Sequence, residues 1–488
     1  MHIRKHNQKL EIFIEDKEQA KSLMDLLSCY EPGYQHDTLY QMGKWDGRKK
    51  FYKIKVMENG WFFITDLGFR NRVLRFFKKE IPQQKKNSDS IDFLKKEIPK
   101  LPFKPYKHQL KLFLGLISNL NHLGISSVGS GKSLAFYLAT KYFYEKNQKI
   151  LILVPSIMLV EQLYQDYKSY FCDFLDKIQQ IGGEFKDKNI KQPIVISTWQ
   201  SAVKSDLSKF DIVMNDETHQ AKAHVLNSIL KSNNFKRKLG VTGTMPIIEK
   251  DYMTLESNFG EPVRYINAKQ MIQQGLATDV TVVTTFLNYN NGKGIPKKSI
   301  KTYHEEIKFM KEHTPRQKFV NNLLKKLKGV TVALYNHTEH GVKTWENLTG
   351  IKYKKVSFDK QKELGVFFIS GKTSPKIREQ IRQYLNTVEN AVVIAQYNIM
   401  STGINIPKLK NLVYISSNKS YIQVIQSIGR VLRLHKSKQK AYLYDIVDVM
   451  NGKRKDDNYL LKHFWERESF YTSEQFNMIE KEVYLKNI

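Results

Sequence analysis

At 488 residues the chain exceeds what one hydrophobic core organises, and at about 100–200 residues per domain it fits roughly two to four domains. Its 79 Lys and Arg against 48 Asp and Glu leave a formal charge of +31, which suits a polyanionic partner, nucleic acid first, although a Lys- and Asn-rich usage is also what an AT-rich genome imposes on any protein. Two cysteines, Cys29 and Cys172, are too few for a disulfide framework or a zinc site, and neither a signal-peptide core nor a run of about 18 apolar residues occurs, so the expectation is a reducing cytoplasm without a membrane anchor.

Residues 1–95 are mixed in pattern and predict a small N-terminal α+β accessory domain that binds DNA. Within it Y-Q-M-G-K-W-D-G-R-K-K-F-Y, residues 40–52, places Asp46-Gly47 as a hairpin turn, where Trp45 would stack on unpaired bases and Arg48 would hold the backbone. The competing reading makes Trp45 and the tyrosines this domain's own core. The polar stretch 83–90 reads as a linker. From 96 to 277 short β-branched runs such as K-I-L-I-L-V-P (149–155), P-I-V-I-S-T (193–198) and D-I-V-M-N-D (211–216) alternate with helical segments, the pattern of a parallel sheet covered on both faces. The alternation pauses at 278–300 and then resumes with V-T-V-A-L-Y-N (330–336), A-V-V-I-A-Q-Y (391–397) and A-Y-L-Y-D-I-V-D (441–448), giving a second such domain over 278–450. Residues 451–488 predict a short, basic, helical tail.

Three stretches carry chemistry. S-S-V-G-S-G-K-S, residues 126–133, follows an apolar run and opens a helical one. Such a loop turns the backbone N–H groups of Gly129, Ser130 and Gly131 toward phosphates, with Lys132 reaching the β/γ oxygens of ATP and Ser133 a Mg²⁺ ion. Asp216-Glu217 ends the run I-V-M-N-D-E. A carboxylate pair there is a helix cap when isolated, but downstream of a phosphate loop Asp216 is placed to hold Mg²⁺ and Glu217 to orient and deprotonate water. Q-S-I-G-R-V-L-R, residues 426–433, puts Arg430 and Arg433 on one helical face, where guanidinium forks could stabilise a transferring phosphate.

Together with D-E-T-H (216–219), T-G-T (242–244) and S-T-G-I-N-I-P (401–407), these motifs resemble the set of superfamily 2 helicases of the DExH kind over residues 100–450. Within that superfamily G-K-W-D-G-R and H-T-E-H-G (337–341) add a similarity to phage helicases that remodel branched DNA. The resemblance implies two tandem RecA-like domains and an ATP-driven, monomeric motor on single-stranded and branched DNA, including forks, Holliday junctions and RNA–DNA hybrids of R-loops. It assigns Gln109 to the adenine with Tyr106 packing nearby, Gln426 to the hydrolytic site, and His219, Thr242 and Thr244 to coupling. It assigns Ser156, Thr198 and Thr402 to phosphates of the tracked strand, contacts that read no base. Asn405 stands where the family often has Asp, which puts a ribose contact there in question. Two other readings compete. An RNA helicase would sooner carry D-E-A-D and S-A-T than D-E-T-H and T-G-T, and a binding or annealing protein with a regulatory nucleotide site would need neither Glu217 nor Arg430.

Overall fold

The computed structural model describes every residue except 1, 82–87, 184–188, 221–222, 296–299, 301, 354–355, 403–405, 418–426, 430, 436–437, 453, 455–457 and 487–488. It divides into two compact units, Met1–Ile266 and Asn267–Ile488.

Unit one opens with β1 (His2–His6), β2 (Lys9–Ile14), β3 (Ser28–Tyr30), β4 (Arg48–Lys50), β5 (Tyr52–Met57) and β6 (Gly60–Asp66). Four of these form an antiparallel sheet in the order β1-β2-β6-β5, and β3 pairs with β4. Leu10, Ile12 and Ile14 are buried while their neighbours along β2 are not, the period of two that lays one face on a core. The tight hairpin is β5–β6, closed around residues 58–59 where Met57 pairs with Gly60. The hairpin expected at Asp46-Gly47 does not form. Residues 31–47 instead make an excursion with two short helical turns between β3 and β4. Asp46 Oδ1 accepts from Arg48 N at 3.1 Å, and Gly47 turns the chain at φ +75° beneath Tyr34, whose ring leaves no room for a Cβ.

The second sheet of unit one is parallel throughout, in the order β13-β7-β12-β11-β8-β10-β9. Its strands are β7 (Asn121–Ser126), β8 (Ile150–Val154), β9 (Ile178–Ile181), β10 (Ile194–Thr198), β11 (Ile212–Asp216), β12 (Arg237–Thr242) and β13 (Pro262–Ile266). Strands β8 and β10 are buried at every residue, because helices cover both faces. Helices Lys107–Ser118, Lys132–Tyr144 and Ile157–Ser169 pack on one face, and Ala223–Ser232 and Glu249–Phe259 on the other.

Helix Glu249–Phe259 also belongs to the N-terminal core, where Met253 packs with Ile12, Phe63 and Phe69. Arg72 grips Glu256 through two hydrogen bonds of 3.1 and 2.5 Å, Lys49 Nζ donates to Thr254 Oγ1 at 3.2 Å, and a Cβ on Gly68 would lie 2.0 Å from the Glu256 carbonyl oxygen. The small antiparallel domain is thus built onto the parallel one.

Unit two holds a seven-stranded parallel sheet, β16-β17-β15-β18-β19-β14-β20, from β14 (Asp279–Asn288), β15 (Val330–Tyr335), β16 (Val366–Ile369), β17 (Ala391–Gln396), β18 (Leu409–Tyr414), β19 (Lys440–Val449) and β20 (Asn477–Tyr484). The first part of the segment expected as a pause is strand β14, buried along most of its length between β19 and β20. The tail is helical from Tyr459 to Ser473 as expected, then departs from expectation by returning as edge strand β20. Its run E-K-E-V-Y shows no apolar alternation because an edge strand with two largely exposed faces needs none, and its charges discourage further pairing. Two buried guanidinium–carboxylate pairs pin β19: Arg316 to Asp448 at 2.7 and 3.0 Å, and Arg467 to Asp445 at 2.8 Å twice.

Candidate nucleotide and nucleic-acid site

The phosphate-type loop leaves β7 at Ser126 and enters helix Lys132–Tyr144 at Gly131. Gly129 and Gly131 take φ of +82° and +74°, a region that costs other residues about 1–2 kcal/mol. A Cβ on Gly131 would stand 2.2 Å from Gln109 Nε2, whereas Gly129 faces open space. Ser126, at the position where the general pattern has its first glycine, bonds Ser130 through their hydroxyls at 2.7 Å and braces the loop across its width. Gln109 is spent on the same loop: its Nε2 donates to the Ser130 carbonyl at 3.0 Å and its Oε1 accepts from Tyr106 N at 2.8 Å. His108 reaches the same Ser130 carbonyl at 2.9 Å. The Tyr106 ring lies half-exposed over His108, offering an aromatic face beside the loop.

The carboxylates arrive from β11, two strands away in the sheet. Lys132 Nζ lies 3.4 Å from Glu217 Oε1 and 3.5 Å from the Ser126 carbonyl oxygen, long contacts that leave its donors available. Glu217 adopts φ +48°, a left-handed conformation that a side chain occupies only when its surroundings impose it, and strain of this kind collects at functional sites. Asp216 Oδ1 accepts from Glu217 N at 2.9 Å. Burial, and then the adjacent Glu217 charge, holds the Asp216 carboxyl well above the usual carboxylate range. Burial acts on Glu217 in the same sense and is the largest single influence, but Lys132, His219 and the Gly243 N–H together outweigh it and hold that carboxylate below its usual range.

From Glu217 a chain of contacts runs to the next strand. Its Oε2 lies 3.4 Å from His219 Nδ1, which contacts Thr242 Oγ1 at 2.5 Å, and Thr242 donates to the Thr244 carbonyl at 2.8 Å. His219 Nε2 and Thr244 Oγ1 are buried with no hydrogen-bond partner among the described residues.

Other expected residues are placed differently. Ser133 Oγ meets Tyr170 OH at 2.8 Å, a partner 37 residues away that no sequence spacing discloses. Ser156 and Thr198 cap the helices that begin at Ile157 and Trp199, and Thr198 is 4% exposed with its hydroxyl donated to Ser201. Trp45 is half-buried and donates to the Arg48 carbonyl at 3.2 Å, while Arg48 is paired with Asp25 and lies over the Tyr30 ring at 4.7 Å. Arg433 has an exposed side chain, and its carbonyl accepts from Thr278 at 2.8 Å. Gln426, Arg430 and Asn405 lie outside the described residues, as does the side chain of Thr402.

Residues 103–247 match the family described as type III restriction enzyme, res subunit, and residues 316–435 match the helicase conserved C-terminal domain. The chain is a superfamily 2 helicase. It is 29% identical over 491 residues to the ATP-dependent DNA helicase uvsW of Enterobacteria phage T4, with 95% of each chain covered. The crystal structure of T4 UvsW covers 99% of both chains at 26% identity and a TM-score of 0.46. A fragment of a putative HsdR subunit of a type I restriction enzyme from Vibrio vulnificus covers 92% of this helicase and 81% of that chain, at 16% identity and a TM-score of 0.56. That last likeness concerns the fold alone. Among the described residues no helix is long and apolar enough to cross a membrane.

Proposed function

We propose that this helicase hydrolyses ATP to translocate along and remodel branched DNA, forks, Holliday junctions and R-loops among them, in phage recombination, replication and repair within the host cytoplasm. The observation that carries the reading is the Lys132–Glu217–His219–Thr242 sequence of contacts, which links a phosphate-loop lysine to a strained carboxylate and then to a neighbouring strand. The similarity over 95% of both chains supports DNA as substrate and takes in the antiparallel domain, which hydrolysis itself does not need.

In this reading Gly129, Ser130, Gly131 and Lys132 receive the phosphates of ATP, whose exposed face for the base is Tyr106. Mg²⁺ would be held by Asp216 and Ser133, with its other ligands from nucleotide and water, as is usual for that ion. The residues fit the ion: Asp216 is a buried carboxyl that gains a compensating charge, and the Ser133 hydroxyl can exchange Tyr170 for it. Bound Mg²⁺ supplies charge neutralisation between the outer phosphates. Glu217, kept anionic by Lys132, orients and deprotonates water, Gln426, Arg430 and Arg433 serve the transferring phosphate, and His219 with Thr242 and Thr244 relays the state of Glu217. Ser156, Thr198 and Thr402 lie at the ends of elements that hold the strand, Ser156 and Thr198 shaping those elements as caps. Strand displacement by the full chain on forked DNA, a four-way junction, linear duplex and RNA duplex tests this. Faster processing of the branched DNA substrates is expected, and preference for RNA duplex or ATP-independent annealing would replace the reading.

A further inference from the structure

Lys238 stands near the start of β12 and is only 7% exposed, yet no hydrogen bond or ion pair among the described residues holds its ammonium. It lines a cavity of about 560 Å³ formed by the β1–β2 turn, the end of β6 and residues 231–238. Lys5, Lys9, Lys231 and Lys236 line the same cavity against a single carboxylate, Asp66. That carboxylate is taken: Lys9 binds it at 2.5 Å and Lys231 lies 3.4 Å from it. Lys236 is bound to Asp211 at 2.7 Å. Positive charge is therefore in excess around the cavity, and Lys238 carries its share in a buried place, which is unfavourable unless an anion completes it, while the exposed Lys5, Lys9, Lys231 and Lys236 surround the opening. The Lys238 ammonium shows the strain: burial first, with Lys9 and Lys231 adding to it against Asp66, lowers it to about 8.

The position is remote from the nucleotide loop. Lys238 pairs with Asn121 at the start of β7, whereas the loop, Asp216 and Glu217 follow the far ends of these parallel strands. At about 3.3 Å per residue the two edges are more than ~10 Å apart. ATP therefore does not complete this cavity.

We propose that the cavity is a phosphate-binding site that grips the backbone of a nucleic-acid arm on the edge of the parallel sheet opposite the nucleotide loop. Lysines from separate chain segments line one opening, and lysines bind phosphate as point charges without reading bases, so the grip is independent of sequence. The proposal rests on the nucleic-acid reading above, and it gives the antiparallel domain a task, since Lys5 and Lys9 come from that domain.

The test uses the full chain, its Lys238→Met variant and the milder Lys231→Gln. Lys238→Met removes an uncompensated charge, so it should melt no lower than the parent and keep its ATPase rate without nucleic acid. Its affinity for duplex DNA should fall, and the slope of log affinity against log salt should become shallower by about 0.9, the value for one lost phosphate contact. Lys231→Gln should shift the slope in the same direction and serves if Lys238→Met folds poorly. Thermal melting with pyrophosphate, in a Lys132→Ala background that silences the nucleotide loop, should show stabilisation that Lys238→Met abolishes. Unchanged slopes in both variants overturn the proposal. Pyrophosphate stabilisation lost in Lys238→Met with unchanged DNA slopes also overturns it, leaving a site for free phosphate. If the parent chain fails to bind DNA at all, the proposed function falls, and the pyrophosphate arm alone decides whether the cavity takes phosphate.

Discussion

Glu217 is where the contacts of the site meet. Its carboxylate stays ionised through Lys132, its backbone is held left-handed, and its second oxygen faces His219. Glu217→Gln keeps the shape and removes the base, so turnover should fall on the order of 10²–10⁴-fold with ATP affinity retained, as read from steady-state rates beside nucleotide titration. Arg430→Ala should lower turnover on the order of 10³-fold or more if it meets the transferring phosphate. The meeting of Lys132 with the Asp216-Glu217 pair was legible in sequence because a glycine loop and a strand-terminal carboxylate pair are local patterns. Gln109 and Thr198 were less so: sequence supplies the residue type, but only packing shows that Gln109 braces the loop and that Thr198 spends its hydroxyl on Ser201. Tyr170 beside Ser133 left no local trace at all.

At the scale of elements, helix Glu249–Phe259 joins two cores, and the boundary read near residue 96 hides this because Met253 and Glu256 show their partners only in three dimensions. A chain beginning at 96 would expose Met253 and strip Glu256 of Arg72, so truncation does not isolate the role of residues 1–95. Arg72→Ala should destabilise the protein by about 2–3 kcal/mol, less than the ~3–5 for a fully buried pair because Arg72 remains partly exposed, and urea unfolding measures it. His122 on β7 is clamped between Asn119 and Tyr265, and burial lowers its pKa to about 4. A histidine held neutral by the fold contributes stability above its unfolded pKa of about 6.5 that is lost as pH falls toward 4. The melting temperature should decline across that window, and His122→Gln should flatten part of the decline. The alternating strands of both parallel sheets were legible from their β-branched runs, whereas β20 was not, since an edge strand with charged residues on both faces has no apolar period.

Across the whole molecule a charge of +31 is distributed over a chain whose two parallel sheets belong to a known motor family. If that charge serves phosphates, log affinity for single-stranded DNA should fall linearly with log salt between about 50 and 200 mM, with little dependence on base sequence. A shallow slope would assign the lysines to composition alone. Charge and motifs made the motor legible in sequence, but they could not say which lysines lack a partner, because Lys238 differs from Lys236 only in what folding places around it. On the proposed function, nucleic acid drives hydrolysis at the Lys132–Glu217 site. Steady-state ATP turnover by the full chain, measured with and without single-stranded DNA, decides this: the rate should be low alone and rise severalfold to saturation with DNA, and a rate indifferent to DNA would mean that nucleic acid does not drive hydrolysis at this site.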